Sequence, residues 1–396
     1  MPYFLHPDEE PKVVSATRLV EQLTLDPAYF KHPALLLYST AAAGEIAAQL
    51  SGQPPTPVTR LLAGRRAVGL FGALTVLATW ALGRETGRLL LQRGVELPGG
   101  AELCGLLAAA ALAVAPLHVA TSHYLKEDVP LTLWTTLALL AALRLAAGRA
   151  EGRPVQVAIA CGLAVSTKYV GVLTLLLVPA ADWLRSADGA GWRPRLARAL
   201  RRGAVAALAA AAIFLLLNPW FLADRQRLGQ ELRFEASHGL VEGHRAVRSG
   251  PWRTWWSFHL RRSLLPGATA PLLIAGLAGL VLLTRRRGGP ARLLPIAALG
   301  WYLAHEASPL KPPPFPDRYM VPLLPLIAVG AATAIQRLAG IPRRPGRPVR
   351  PLILTAATML LLAAPALRSL ELVAAMSSDT RLAARAWILG HLLPGS

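Results

Sequence analysis

A chain of 396 residues, 54% hydrophobic and only 16% charged, lacks the polar surface to cover a soluble globule, for which about 25% charged residues is usual. The formal net charge of +20 would point a soluble chain toward nucleic acid, but here the basic residues sit in short runs between apolar segments. They are read as setting orientation in a membrane, and no nucleic-acid partner is expected.

The elements follow in chain order. Residues 9–25 carry apolar side chains at Val13, Val14, Ala16, Leu19, Val20 and Leu23, a helical spacing with a polar back face that predicts an interfacial helix. Residues 34–50 are apolar but short and include Glu45, which predicts a second juxtamembrane helix. A membrane helix needs about 20 mainly apolar residues. Candidate spans are 61–82, 101–119, 129–147, 203–217, 268–284, 292–304, 320–336 and 351–367. The stretch 155–184 is interrupted by Ser166-Thr167-Lys168 and reads as one overlong span or two short ones. Arginine clusters at 84–93, 144–153, 185–202, 285–292 and 337–350 belong on one side. Only two short helices turning at Lys168 put them there. The expectation is therefore an all-α, polytopic bundle of about ten membrane helices. It has an external segment 1–60, a membrane bundle 61–367 with a large external loop 218–266, and an external C-terminal segment 369–396.

Lys supplies only five of the 42 basic residues, so each Lys is informative. All five (12, 31, 126, 168 and 311) fall near the same face as the nine histidines and most acids. A polar outer loop explains any one of these; the set together predicts a wet external site. Loop 218–266 interleaves arginines with Trp252, Trp255 and Trp256, which suits an anionic lipid head group, although Trp at an interface is also ordinary anchoring. Cys104 and Cys161 lie in apolar segments and imply neither a disulfide nor a zinc site. Residues 1–30 do not read as a signal peptide. Asp8, Glu9 and Glu10 are contiguous carboxylates whose repulsion should raise the proton affinity of at least one, suiting it to general-base work or metal binding.

The stretch HPDEEPKVVSATRLVEQLTLDPAYFKHPALLLY resembles the first external loop of lipid-carrier-dependent glycosyltransferases of the protein O-mannosyltransferase and aminoarabinose transferase type (glycosyltransferase family 39), within the GT-C fold. SHYLKEDVPL, GLAVSTKYVG, LLNPWFLAD and DRYMVPLLP resemble that family's later segments, in order, over residues 6–325. The resemblance implies an inverting enzyme of the bacterial inner membrane with an extracytoplasmic site. It would move a sugar from a polyprenyl-phosphate carrier to a hydroxyl of a lipid, glycan or protein, among membrane lipids. By the same resemblance Asp8 is the base, Glu9 its neighbour and Asp128 the second-loop acid. Lys168, Arg318 and Tyr319 lie on the carrier-phosphate side. Arg245 from EASHGLVEGH would join them, and Glu235 with His238 would hold a divalent metal, although no cofactor is certain. In the aromatic-x-x-Pro step the aminoarabinose relatives have Glu-Lys where this chain has Lys31-His32, which makes Lys31 a cation there. Lys168 snorkelling to a helix end, and Arg318 pairing with Asp317 or Glu306, stay open.

The family usually has a membrane helix before the Asp-Glu pair, whereas Asp8 follows Met1 closely. SSDTRLAARAWILGHLLPGS resembles the opening of an external domain, so truncation at both ends is expected. The rival readings are a transporter or flippase of lipid-linked sugars and a degenerate, non-catalytic relative. A transporter should show inverted repeats and polar groups at mid-membrane, and neither is visible here.

Overall fold

The amphipathic pattern of residues 9–25 folds as expected into α1 (Glu9–Glu21), which buries Lys12, Val13, Ala16 and Leu19. α2 (Leu35–Ser51) packs against it and against α3 (Pro57–Leu91). A capping box between Thr56 and Thr59, with Pro57 in the first turn, starts α3. Nothing in residues 83–91 breaks a helix, so α3 runs nine residues past its apolar part. The computed structural model describes residues 6–149, 154–185, 191–237, 241, 256–308, 316–340, 349–377 and 380–391.

The predicted span 101–119 is two helices, α4 (Gly100–Ala113) and α5 (Pro116–Thr121), because Pro116 cannot continue the hydrogen-bond ladder of α4. α6 (Asp128–Ala146) is almost wholly buried. α7 (Pro154–Thr167) ends at Lys168, whose extended backbone reverses the chain into a 3-10 stretch, Tyr169–Leu176, and α8 (Leu177–Leu184). Gly171 permits the reversal, since a Cβ there would lie 2.5 Å from the Ala164 carbonyl.

α9 (Trp192–Leu217) is peripheral and ends at Asn218-Pro219; α10 (Trp220–Ala223) and α11 (Arg225–Ser237) follow. A π turn (Leu260–Leu264) leads into α12 (Leu265–Ala268), bent by 107° against α13 (Ala270–Thr284). Then come α14 (Leu293–Ala307), a 3-10 stretch Pro316–Leu323, α15 (Leu324–Ala339), α16 (Val349–Ser377) and α17 (Thr380–His391). α15 is the most buried apolar helix, and it meets α13 backbone to backbone: a Cβ on Gly279 would lie 1.7 Å from the Gly330 oxygen.

No strand occurs among the described residues. Five described helices are long and apolar enough to cross a membrane, or six if the bent pair at Thr269 is one span, with shorter apolar helices at 100–113, 154–167 and 169–184. The described arginines of these clusters gather at one end of the bundle. There Glu85 pairs with Arg149, Asp182 with Arg198 and Arg202, and Arg84 with Glu102. Arg93 lies against Gly289, and Gln336 donates to the Pro98 and Gly100 carbonyls at the same end. The reversal at Lys168 is what makes this possible, as the charge pattern required. Cys104 and Cys161 are buried and unpaired.

Candidate active site

At the opposite end, α1 and the loop before α6 are joined through one backbone residue. The Leu125 N–H donates to Glu9 Oε1 (2.9 Å), and the Leu125 carbonyl accepts from Lys12 Nζ (3.1 Å). Glu9 is fully buried and also accepts a two-pronged contact from Arg65, Nε to Oε1 at 2.9 Å and Nη2 to Oε2 at 2.7 Å, plus the His6 N–H at 3.1 Å. Both its oxygens are occupied, so it anchors the start of α1 rather than meeting a substrate.

Asp8, one residue earlier, keeps part of its carboxylate open. Lys126 Nζ donates to Oδ2, Lys31 Nζ lies 3.4 Å from Oδ1, and the side chain is 22% exposed. Lys12 forms a fully buried ion pair with Glu127 (2.9 Å), and Lys126 and His32 each lie 3.7 Å from the other Glu127 oxygen. Asp128, at the N-terminus of α6, accepts from Lys168 Nζ at 2.7 Å and faces Arg318 Nε at 3.5 Å. Lys168 lies 4.8 Å from the centre of the Tyr319 ring, and Arg318 lies 5.3 Å from it. The structure therefore pairs Arg318 with Asp128. Asp128 is 1% exposed and serves to hold two cations.

The segment carrying Lys31 and His32 is fixed by the Asn218-Pro219-Trp220-Phe221 corner. Asn218 Oδ1 accepts the Ala34 N–H (2.9 Å), Tyr169 donates to the Phe30 carbonyl (2.6 Å), and Phe30 packs on Trp220 and Phe221 at 4.6 and 5.7 Å. The predicted residues Asp8, Lys31, His32, Asp128, Lys168, Arg318 and Tyr319 are thus brought together. His238 and Arg245 lie outside the described residues. Glu235, on α11, is not brought into a metal cluster: among the described residues no three His, Cys, Asp or Glu side chains converge to hold an ion.

Four network members were not singled out from the sequence: Lys12, Arg65, Lys126 and Glu127. The scarcity of lysine was the available signal for two of them. Nothing local distinguishes Arg65 from the other arginines.

The electrostatics correct one expectation. Burial alone would raise the Asp8 carboxyl, but the Lys126 ammonium, with help from Lys31 and Lys12, holds it well below the usual carboxylate range. Burial would likewise raise Glu9, and the Arg65 guanidinium and the Leu125 amide keep it low instead. Carboxylate repulsion therefore raises neither group, because the fold supplies a cation to each. Glu235 is instead held above its ordinary value, by burial first, with Glu231 and Asp8 adding to it against Lys31 and Lys168.

Burial lowers His32 to about 3, and Lys126 and Lys12 push the same way against Glu127. A histidine neutral in the fold and near 6.5 unfolded stabilises above pH 6.5. That contribution is lost as pH falls toward its folded value, because the unfolded chain binds the proton first. Stability is expected to drop by roughly 2 kcal/mol between pH 6.5 and 4.5 from this residue. Thermal unfolding in detergent should show a pH slope that His32→Gln flattens; an equal slope in both proteins would rule His32 out as its source.

Below the charged cluster an apolar cavity of about 260 Å³ runs between α6, the 169–184 hairpin arm, α14 and the start of α15. Thr135, Leu173, Trp301 and Pro322 line it, and the Trp301 indole donates to the Tyr319 carbonyl at 3.0 Å. The cavity thus abuts the segment that carries Arg318 and Tyr319.

Residues 86–228 match the protein family described as dolichyl-phosphate-mannose-protein mannosyltransferase. The fold is similar to that of ArnT from Cupriavidus metallidurans bound to undecaprenyl phosphate, with a TM-score of 0.59 and 18% identity over 95% of this chain and 68% of that one. The same protein in its apo state gives 0.58 and 19% identity, over 94% and 68%. The apo oligosaccharyltransferase of Archaeoglobus fulgidus gives 0.58 and 15% identity, over 91% of this chain and 51% of that one. No curated protein matches by sequence.

Proposed function

We propose that this chain, a multi-pass membrane protein of the GT-C fold carrying the mannosyltransferase family match over residues 86–228, is a polyprenyl-phosphate-dependent glycosyltransferase. The family match and the fold neighbours support that class. The observation that carries the reading to this chain is a charge excess beside an apolar channel. Among the described residues, Lys12, Lys31, Arg65, Lys126, Lys168 and Arg318 lie around Asp8, Glu9, Glu127 and Asp128, with Glu235 near Lys31 and Lys168. Excess cations in a buried cluster favour an anion, and the 260 Å³ apolar cavity next to Tyr319 suits a hydrocarbon tail. A polyprenyl phosphate is both.

In this reading Lys168 and Arg318 hold the carrier phosphate with Tyr319 beside them, and the chain's tail descends between α6 and α14. An acceptor hydroxyl oxygen attacks the anomeric carbon from the face opposite the phosphate, with inversion. The carbon–oxygen bond to phosphate breaks and its electron pair leaves on the phosphate, whose growing charge fixed cations stabilise without reorganisation. Asp8 takes the hydroxyl proton. Its low proton affinity is no obstacle, because the attacking oxygen becomes strongly acidic as its new bond forms. An anionic donor also draws Lys31, which is about half exposed, away from Asp8. The acceptor lies at the outer face, opposite the arginine-rich end.

The test offers the purified chain a panel of polyprenyl-phosphate sugars and follows release of the polyprenyl phosphate. Release by the wild type is the expected outcome, and Lys168→Met is expected to reduce it by about 10²-fold, the effect of losing one fixed charge at a developing anion. Movement of intact lipid-linked sugar across a vesicle without release would replace this reading by a transporter.

A further inference from the structure

The charged network above leaves another cationic feature unused. An open groove of about 640 Å³ lies where the π turn and α12 meet α13 and α16, lined by Arg261, Arg262, Thr269 and Arg368 with Leu265 and Pro266. Arg261 and Arg262 come from the end of the large loop, whereas Arg368 comes from α16, more than 100 residues away. Arg368 is 55% exposed and pairs with Glu371 at 2.7 Å, and Arg262 faces Asp317, so the three guanidinium groups line the groove with carboxylates at its edges. The groove is at the same end of the bundle as the candidate active site, since Ser263 donates to Asp317, next to Arg318.

Two further features mark it as a binding site. Thr269, the hinge of the 107° bend, has φ +67° and ψ 157°, a region that a β-branched residue adopts only when its surroundings force it to. Its buried hydroxyl oxygen has no hydrogen-bond partner. A buried hydroxyl is normally satisfied, so this one lacks a polar partner beside the arginines. In addition, Leu265, Leu367 and Leu370 are 43%, 62% and 67% exposed next to the basic groups, on helices that face outward.

We infer that this groove binds the phosphate head group of an anionic membrane phospholipid. The guanidinium groups of Arg261, Arg262 and Arg368 contact its phosphate oxygens, Thr269 donates to one of them, and the acyl chains lie along the exposed leucines of α12 and α16. Fixed positive charge supplies what a phosphate needs, and the flanking leucines favour a lipid over a dissolved anion. The site is separate from the carrier site and does not depend on the chain's being a transferase.

The measurement is native mass spectrometry of the purified full chain titrated with phosphatidylglycerol or phosphatidylcholine. One phosphatidylglycerol should be retained that phosphatidylcholine does not replace. R261Q/R262Q/R368Q should weaken that retention by at least tenfold, while R261K/R262K/R368K keeps most of it. Release of polyprenyl phosphate by the triple Gln variant tests the active-site reading independently, and binding of phosphatidylglycerol tests this one. Equal retention of phosphatidylglycerol by wild type and the Gln variant would overturn the inference. So would its complete displacement by inorganic phosphate, which would mark a free-anion site. Loss of retention in both triple variants would mean that packing, not charge, holds the lipid, and would equally overturn it.

Discussion

Asp8→Asn is expected to lower the release of polyprenyl phosphate by about 10²–10⁴-fold, the usual contribution of a positioned base. The substitution is nearly isosteric and keeps one acceptor oxygen, which can stay on Lys126, while Lys31, about half exposed, turns to solvent, so carrier binding should change little. The informative result is therefore a split, with turnover lost and affinity for the carrier kept. Release unaffected by the substitution would move the base elsewhere. Glu235 is then the first alternative, because it is an acid held above its ordinary value beside Lys31 and Asp8. Glu9 and Asp128 are weaker alternatives, since Arg65 and two backbone amides occupy the one and Lys168 and Arg318 the other.

The second large effect is on stability. Glu127→Gln removes the countercharge of the Lys12 ammonium, which is fully buried and keeps only neutral acceptors, the Leu125 carbonyl and the new amide oxygen. Removing one partner of a buried ion pair costs about 3–5 kcal/mol, because the other charge is left uncompensated. A marked fall in the thermal midpoint is expected, and Lys12→Met combined with Glu127→Gln should recover much of it, since no buried charge is then unpaired. A double variant no more stable than Glu127→Gln alone would show that Glu127 acts through Lys126 and His32 instead. This pair links α1 to the start of α6, so its loss should also displace Asp8 and slow release indirectly.

Helix positions were legible because they follow from one-dimensional rules. Apolar run length located most of them, whereas the cap at Thr56-Pro57 and the break at Pro116 lie outside what run length reports, so 61–82 starts late and 101–119 reads as one span. The arginine clusters carried longer-range information, because all of them must share one end. That constraint predicted the reversal at Lys168, which the structure contains. The ends of helices were less legible. α3, α9 and α16 run beyond their apolar parts, since polar residues outside the apolar zone continue a helix as readily as they end it.

By itself the sequence determined the class of protein, the end at which its polar chemistry gathers, and most of the side chains found there. Composition and charge pattern are sums over the chain, and the family-like segments are local. The division of labour within the cluster was decided only by the tertiary structure. Asp8 and Glu9 are neighbours in the chain, yet one faces two lysines with part of its carboxylate open and the other is sealed by Arg65 and the Leu125 amide. Repulsion between adjacent acids is a local argument. It fails here because cations from residues 31, 65 and 126 arrive through space, and their proximity, at 2.5–3.4 Å, outweighs the neighbouring charge along the chain.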